Sequence, residues 1–261
     1  MFDTFKGQPQ GQPGTPAPQL SAYRSGHTRA IIAMGLLALG ACMDFCSLLV
    51  NGLLVAGVLG PEAILGEGGD AVSAPELLQG LIVLLHVPVF IATVVAFLMW
   101  LHRAHSNLRP LGAQRLEYTP GWAVGYFFIP FLNLVRPYQA VREVWRWSKP
   151  GDEGAGVEGL SFTVATGAPL IGWWWAFWLV SNGLSNLRWR LVDEPGMQQA
   201  GAWLGLLDDI ASIAAAALAI MLVRTIDQMQ TERSRQLALP ATTFEQPPPP
   251  PNFNPQSLNL G

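Results

Sequence analysis

Residues 30–59 read AIIAMGLLALGACMDFCSLLVNGLLVAGVL, thirty positions with one ionisable acid, Asp44, and no base. About 20 such residues suffice to cross the hydrocarbon of a bilayer. The run is therefore read as a membrane span. Three further runs have comparable character: Leu77 to Leu101, Ala168 to Leu184 with WWWAFWLV at its heart, and Gly201 to Val223. A fifth, Gly121 to Val135, is too short at about 1.5 Å per helical residue to span about 30 Å of hydrocarbon. It also contains Gly125 and Pro130, and it reads as a re-entrant or interfacial segment.

Composition agrees with this reading. Of 261 residues, 50% are apolar and 13% charged, against about 25% charged in a soluble domain. A net charge of -3 excludes a strongly basic nucleic-acid binder. Two cysteines, both inside the first run, exclude a disulfide scaffold. The leader, residues 1–29, is rich in Gly, Pro and Gln up to Ala22, and the tail, 228–261, carries five consecutive prolines from Pro247. The leader and the stretch from Pro240 lack the apolar surface that offsets ordering entropy and are expected to be disordered, the proline run as a polyproline II spacer or a ligand for a protein partner. The first apolar run starts too late and is too long for a cleavable signal.

Basic residues set the orientation, because cytoplasmic flanks retain Lys and Arg. With four spans, thirteen of the fifteen basic residues fall on one side and only Arg188 and Arg190 on the other. A crossing at Gly121 to Val135 would reduce this to eight against seven. The expected topology is thus four spans with both termini cytoplasmic and the acidic loop 60–76 outside. The multi-pass domain covers residues 30–227. Most of the ten tryptophans fall near the predicted boundaries, where indole rings favour the headgroup zone.

After the fifth run, RPYQAVREVWRWS (136–148) places Tyr138, Val141, Val144, Trp145 and Ser148 on one helical face and Gln139, Arg142, Glu143 and Arg146 on the other. Such a helix either lies on the cytoplasmic surface, with Arg136, Arg142, Arg146 and Lys149 toward anionic headgroups, or packs on the end of the bundle.

Two segments carry a family resemblance. WLHRAHSNLRPLG (100–112), followed by YTPGWAVGYFFIPFLNLVRPYQAVREVWRWS (118–148), resembles the DUF4328 family of bacterial integral membrane proteins. Together with the aromatic segment at 172–178, the resemblance covers residues 30–227. It implies a bacterial multi-pass membrane domain and supplies no catalytic residues; the expected location is the inner membrane.

Polar residues recur within the spans at helical spacing. The first carries Gly40, Asp44, Ser47 and Asn51; the last carries Gly201, Gly205, Asp208, Ser212, Ala215 and Ala219; the third offers Trp178, Asn182, Ser185 and Asn186; the second offers Gln79, His86 and Thr93, with Pro88 expected to kink it. Small and polar stripes of this kind face one another inside a bundle. Asp44, at mid-span, needs compensation for an insertion cost of about 2.5–3.5 kcal/mol. His86 and Asp208 lie at compatible depth. An Asp44, His86 and Asp208 cluster is either a proton or cation relay or a polar knot fixing helix register.

The remaining candidates read as structural. His102 and His105 cap a helix end rather than hold a metal, Cys42 and Cys46 pack inertly, and Asn133 and Arg136 satisfy backbone groups freed around Pro130. No Walker glycine loop, H-E-x-x-H or G-x-S-x-G is present. The expectation is an all-α membrane protein: a four-helix transmembrane bundle with a short re-entrant or interfacial segment and an amphipathic cytoplasmic helix. It uses no cofactor and contacts lipid or protein partners from the cytoplasm, the alternative being a small proton- or ion-coupled transporter.

Overall fold

The computed structural model describes residues 22–59, 63–65, 72–150, 167–191 and 196–238. Most of both tails, most of the acidic loop and the Asp152 to Glu158 stretch lie outside the described residues.

Among the described residues the regular structure is helical apart from a two-stranded ribbon. Helix α1 is His27–Val55, and strands β1 (Ala63–Leu65) and β2 (Val72–Ser73) pair antiparallel with Ala63 opposite Ser73. Helix α2, Ala74–Ser106, opens on a capping box. The Ser73 hydroxyl and backbone amide both donate to Glu76 Oε2, at 2.9 and 2.8 Å. It continues without a break through Pro88. Next come α3 (Pro120–Gly125), α4 (Arg136–Ser148), α5 (Gly167–Leu191) and α6 (Gln198–Ala238).

Three of these, α1, α2 and α6, are long and apolar enough to cross a membrane. Helix α5 has the length but not the hydropathy, because its tryptophans and asparagines replace aliphatic residues. Helix α6 extends past the domain boundary expected at residue 227, and its last turns are pinned rather than free: Gln230 and Arg233 are buried.

Around the bundle, α2 packs on α1, α1 on α6, and α6 on α5. Between α2 and α5 the packing is not comparable; one link is the ring pair Phe97–Trp174, with centroids 5.8 Å apart. The ring of helices is thus open along one side.

The segment around 121–135 fills the end of that opening as a hairpin. Helix α3 passes into a 3-10 turn, Tyr126–Phe128; the chain reverses at Phe131, and a second 3-10 turn, Leu132–Leu134, brings it back. Phe131 adopts φ +64°, a conformation that bulky residues rarely enter. Chain entry and exit meet where Arg136 Nη1 donates to the Tyr118 hydroxyl at 3.2 Å. The segment therefore does not cross the bundle. Trp175 Nε1 donates to the Leu134 carbonyl at 2.9 Å, supplying a partner to irregular backbone.

Helix α4 packs on the bundle with the face that the spacing picks out. Val141, Val144 and Ser148 are fully buried, and Trp145 nearly so. Val141, Val144 and Trp145 join Trp100, Leu101, Leu108, Ile171, Leu222 and Ile226 in one core at this end of the molecule. Toward the other end the helices present large apolar side chains outward, among them Leu84, Phe90, Ile91 and Phe45. Such an exterior suits a hydrocarbon solvent.

Candidate functional site

Two polar clusters stand out, one midway along the helices and one at the α4 end. The first brings together the stripes of α1 and α6. Ser212 Oγ donates to Asp44 Oδ2 at 2.6 Å, and His86 Nδ1 lies 3.5 Å from Asp44 Oδ1. The second contact is long for a hydrogen bond. Of the three residues expected to cluster, Asp44 and His86 meet. Asp208 lies close by but turns toward α5, where Ser181 Oγ donates to it at 2.6 Å.

The sequence reading missed Asp209, and Asn51 turns out to be its partner. Asn51 Nδ2 donates to Asp209 Oδ2 at 2.7 Å and to Ser47 Oγ at 3.2 Å, while its Oδ1 accepts from Gln79 Nε2 at 3.1 Å. Three helices are tied through one amide. The adjacent pair Asp208–Asp209 could have signalled this, since neighbours on a helix point about 100° apart and can address two different partners.

On α5 the expected polar face turns inward only in part: Trp178 lines the cavity described below and Ser185 bonds Asp208, but the two asparagines do not follow. Asn182 and Asn186 are exposed and donate to their own helix, at the carbonyls of Trp178 and Asn182, both at 2.7 Å. Ser181 joins Ser185 on the inward side. Back-bonding of this kind satisfies an amide without any partner helix, so position alone did not reveal the direction.

Asp44 and His86 also line a cavity of about 250 Å³ between α1, α2, α5 and α6, beside the open side of the bundle. Its walls are otherwise apolar and aromatic apart from Thr93 and Ser212, and Phe127 and Phe128 of the hairpin contribute to the lining. Thr93 donates to the Val89 carbonyl at 2.7 Å, so its proton is already engaged.

The second cluster is built on Glu143, expected on the solvated face of α4 but nearly buried. Its carboxylate accepts from the backbone amides of Glu117 and Tyr118 and lies 3.0 Å from His105 Nε2. With Nε2–H donating, the fully buried Nδ1 of His105 is an acceptor without a partner among the described residues. Tyr118 donates to Gln139 Oε1 at 2.8 Å. Arg136, expected to satisfy backbone near Pro130, instead donates to Tyr118 and Gln139 and stacks over the Tyr126 ring, 5.9 Å from its centroid. The hydrogen bond to Tyr118 raises its already high pKa.

Deeper in this end, Asn107 Nδ2 donates to the Arg24 carbonyl at 3.0 Å and to Gln230 Oε1 at 3.2 Å. Gln230 Nε2 in turn donates to the Ala104 carbonyl at 2.8 Å and to Ser148 Oγ at 3.0 Å. His105, Asn107, Tyr118, Arg136, Gln139 and Glu143 all come from the two segments quoted above for their family resemblance. The family model for a domain of unknown function, DUF4328, matches residues 67–228, more than half of the chain. The chain belongs to this family. Within the DUF4328 segment lie the hairpin, α4 and His86, whereas Asp44, Ser47 and Asn51 precede it and Gln230 and Arg233 follow it. No curated protein and no solved structure matches the chain.

Of the basic residues assigned to the membrane surface, Arg136, Arg142 and Arg146 are exposed. Lys149 is half-buried, and its carbonyl accepts from Arg233 Nη1 at 2.6 Å. His102 is exposed, and His105 is held by Glu143. Cys42 and Cys46 both face outward.

Proposed function

We propose that this DUF4328 protein is a four-span, non-enzymatic protein of the bacterial inner membrane, with both termini cytoplasmic, that holds anionic lipid at its cytoplasmic end. Helix α5 serves as the fourth span, its tryptophans being at home in the interfacial zone. One observation carries the reading. The apolar face of α4 is used up in the core, so Arg142 and Arg146 point outward, in a domain whose hairpin exposes Trp122, Phe128, Phe131, Leu134 and Val135. Apolar side chains that enter the acyl region and guanidinium groups that meet phosphates are the two halves of interfacial recognition.

The test is native mass spectrometry of protein extracted from mixed phosphatidylglycerol and phosphatidylcholine membranes. Wild type retains phosphatidylglycerol preferentially, and the Arg142→Gln, Arg146→Gln double variant loses that preference. Equal retention of both lipids by wild type counts against the reading. Orientation is checked with single cysteines in a Cys42→Ser, Cys46→Ser background: Val58→Cys and Met197→Cys react with impermeant reagent from outside, Arg146→Cys only from the cytoplasm.

The Asp44–His86 contact favours a second reading, a proton or cation path. Against it, the cavity wall from Asp44 toward the hairpin has no further ionisable side chain among the described residues. Proton flux into liposomes that disappears in Asp44→Asn would establish it.

A further inference from the structure

We propose that the cavity between α1, α2, α5 and α6 is a binding site for a small hydrophobic ammonium ion, with Asp44 as counter-ion and the aromatic wall as the seat of its apolar body. The inference goes beyond lipid retention at the α4 end and rests only on the placement of these helices in the membrane.

Size comes first. A cavity of 150 Å³ holds benzene, so 250 Å³ holds about ten non-hydrogen atoms. That is too little for a diacyl lipid and enough for an arylalkylamine. Charge comes second. Asp44 is the one acid among the described lining residues, and neither Lys nor Arg lines the space. Its Oδ2 is engaged by Ser212, whereas its Oδ1 has only the long His86 contact. A carboxylate oxygen at an apolar wall has strong unused capacity for a cationic donor. The walls come third. Phe90, Phe97, Phe128 and Trp178 present ring systems to the same space, and aromatic faces attract ammonium ions more strongly when water is excluded. An anion or a neutral polar molecule gains neither contribution.

Access is lateral. Helices α2 and α5 do not close on each other along this side, and Phe90 and Phe128, which line the cavity, are also exposed on the outer surface. A hydrophobic cation dissolved in the membrane reaches Asp44 without passing through the packed α4 end.

The experiment is isothermal titration of the full chain in a nonionic detergent with three water-soluble probes of similar size: benzylammonium, benzenesulfonate and benzyl alcohol. The cation binds saturably and at least tenfold more tightly than the other two. Asp44→Asn weakens it at least tenfold, and Ala216→Phe, which puts a ring at the cavity lining and leaves Asp44 itself unchanged, abolishes binding. Should Asp44→Asn fail to fold, the comparison of probes on wild type and the Ala216→Phe variant decide. Absence of saturable binding, equal affinity for all three probes, or full affinity in a folded Asp44→Asn protein overturns the proposal. Lipid retention is measured separately in membranes, so its failure and this one are distinguishable.

Discussion

The side-chain amide of Asn51 stands directly over the backbone of Gly205. A Cβ added to Gly205 would lie 2.8 Å from Asn51 Nδ2 and 2.6 Å from Arg188 Nη1. The Arg188 terminus can swing away, but Asn51 is buried and fixed by Ser47, Asp209 and Gln79. Gly205→Ala is therefore expected to destabilise the bundle by about 1–3 kcal/mol, the usual cost of overpacking. Thermal unfolding in detergent reads it as a lowered midpoint. Gly201→Ala, where a Cβ meets nothing within 4 Å, is the control and leaves the midpoint unchanged or raised.

Asn51 and Asp209 should also be energetically coupled. Hydrogen bonds between membrane helices average about 0.6 kcal/mol in double-mutant cycles, with a maximum near 1.7. At 2.7 Å to a buried carboxylate, this pair belongs in the upper part of that range. A cycle built from Asn51→Ala, Asp209→Ala and the double variant is expected to give a coupling of about 1 kcal/mol or more. A value indistinguishable from zero would mean that each residue stabilises through other partners, Gln79 for Asn51 foremost.

What could be read in the sequence, and what could not, follows from the nature of each signal. Long apolar runs announce α1, α2 and α6 because a bilayer imposes length and composition together. The α1 stripe of Asp44, Ser47 and Asn51 was legible for a related reason: polar groups in such a run have nowhere to go but inward, and all three are buried. The α4 face was legible from spacing, but spacing does not distinguish a lipid surface from a protein one, and protein covers Val141, Val144 and Trp145. Glu143 was misread because a lone carboxylate on a helix looks solvated until the Glu117 and Tyr118 amides, brought back by the loop before α3, are seen to converge on it. The cavity has no signature of its own in sequence, being the space left where α2 and α5 part.

The convergence on Glu143 predicts local rather than global damage on substitution. Glu143→Gln keeps the shape but replaces a charged acceptor with a neutral one at bonds worth about 1.5–3 kcal/mol each when charged. One amide oxygen cannot hold the Glu117 and Tyr118 amides and His105 together. Hydrogen exchange at the amides of residues 117 and 118 is expected to quicken at least tenfold, while that of the α1 and α6 interior stays as in wild type. Unchanged exchange at those two amides would show that the hairpin entry is held by Arg136 and Gln139 instead.

Arg233 closes the α4 end with geometry that only a guanidinium provides. Its Nε donates to the Leu111 carbonyl at 2.8 Å, and its Nη1 donates to the carbonyls of Trp147 and Lys149 at 3.2 and 2.6 Å. One side chain at the end of α6 thus holds both the turn after α2 and the last residues of α4. Next to it Gly112, at φ +94°, brings the turn close: a Cβ there would meet Arg233 Nη2 at 3.7 Å. Arg233→Lys retains the charge but offers one compact ammonium in place of a planar fork, and it cannot span carbonyls on two separate segments. Both Arg233→Lys and Arg233→Ala are expected to lower the unfolding midpoint, Lys recovering less than half of the difference between Ala and wild type. Limited proteolysis within residues 109–117 should accelerate in parallel. Full recovery by Lys would show that charge at this end, rather than the forked contact, is what the fold requires.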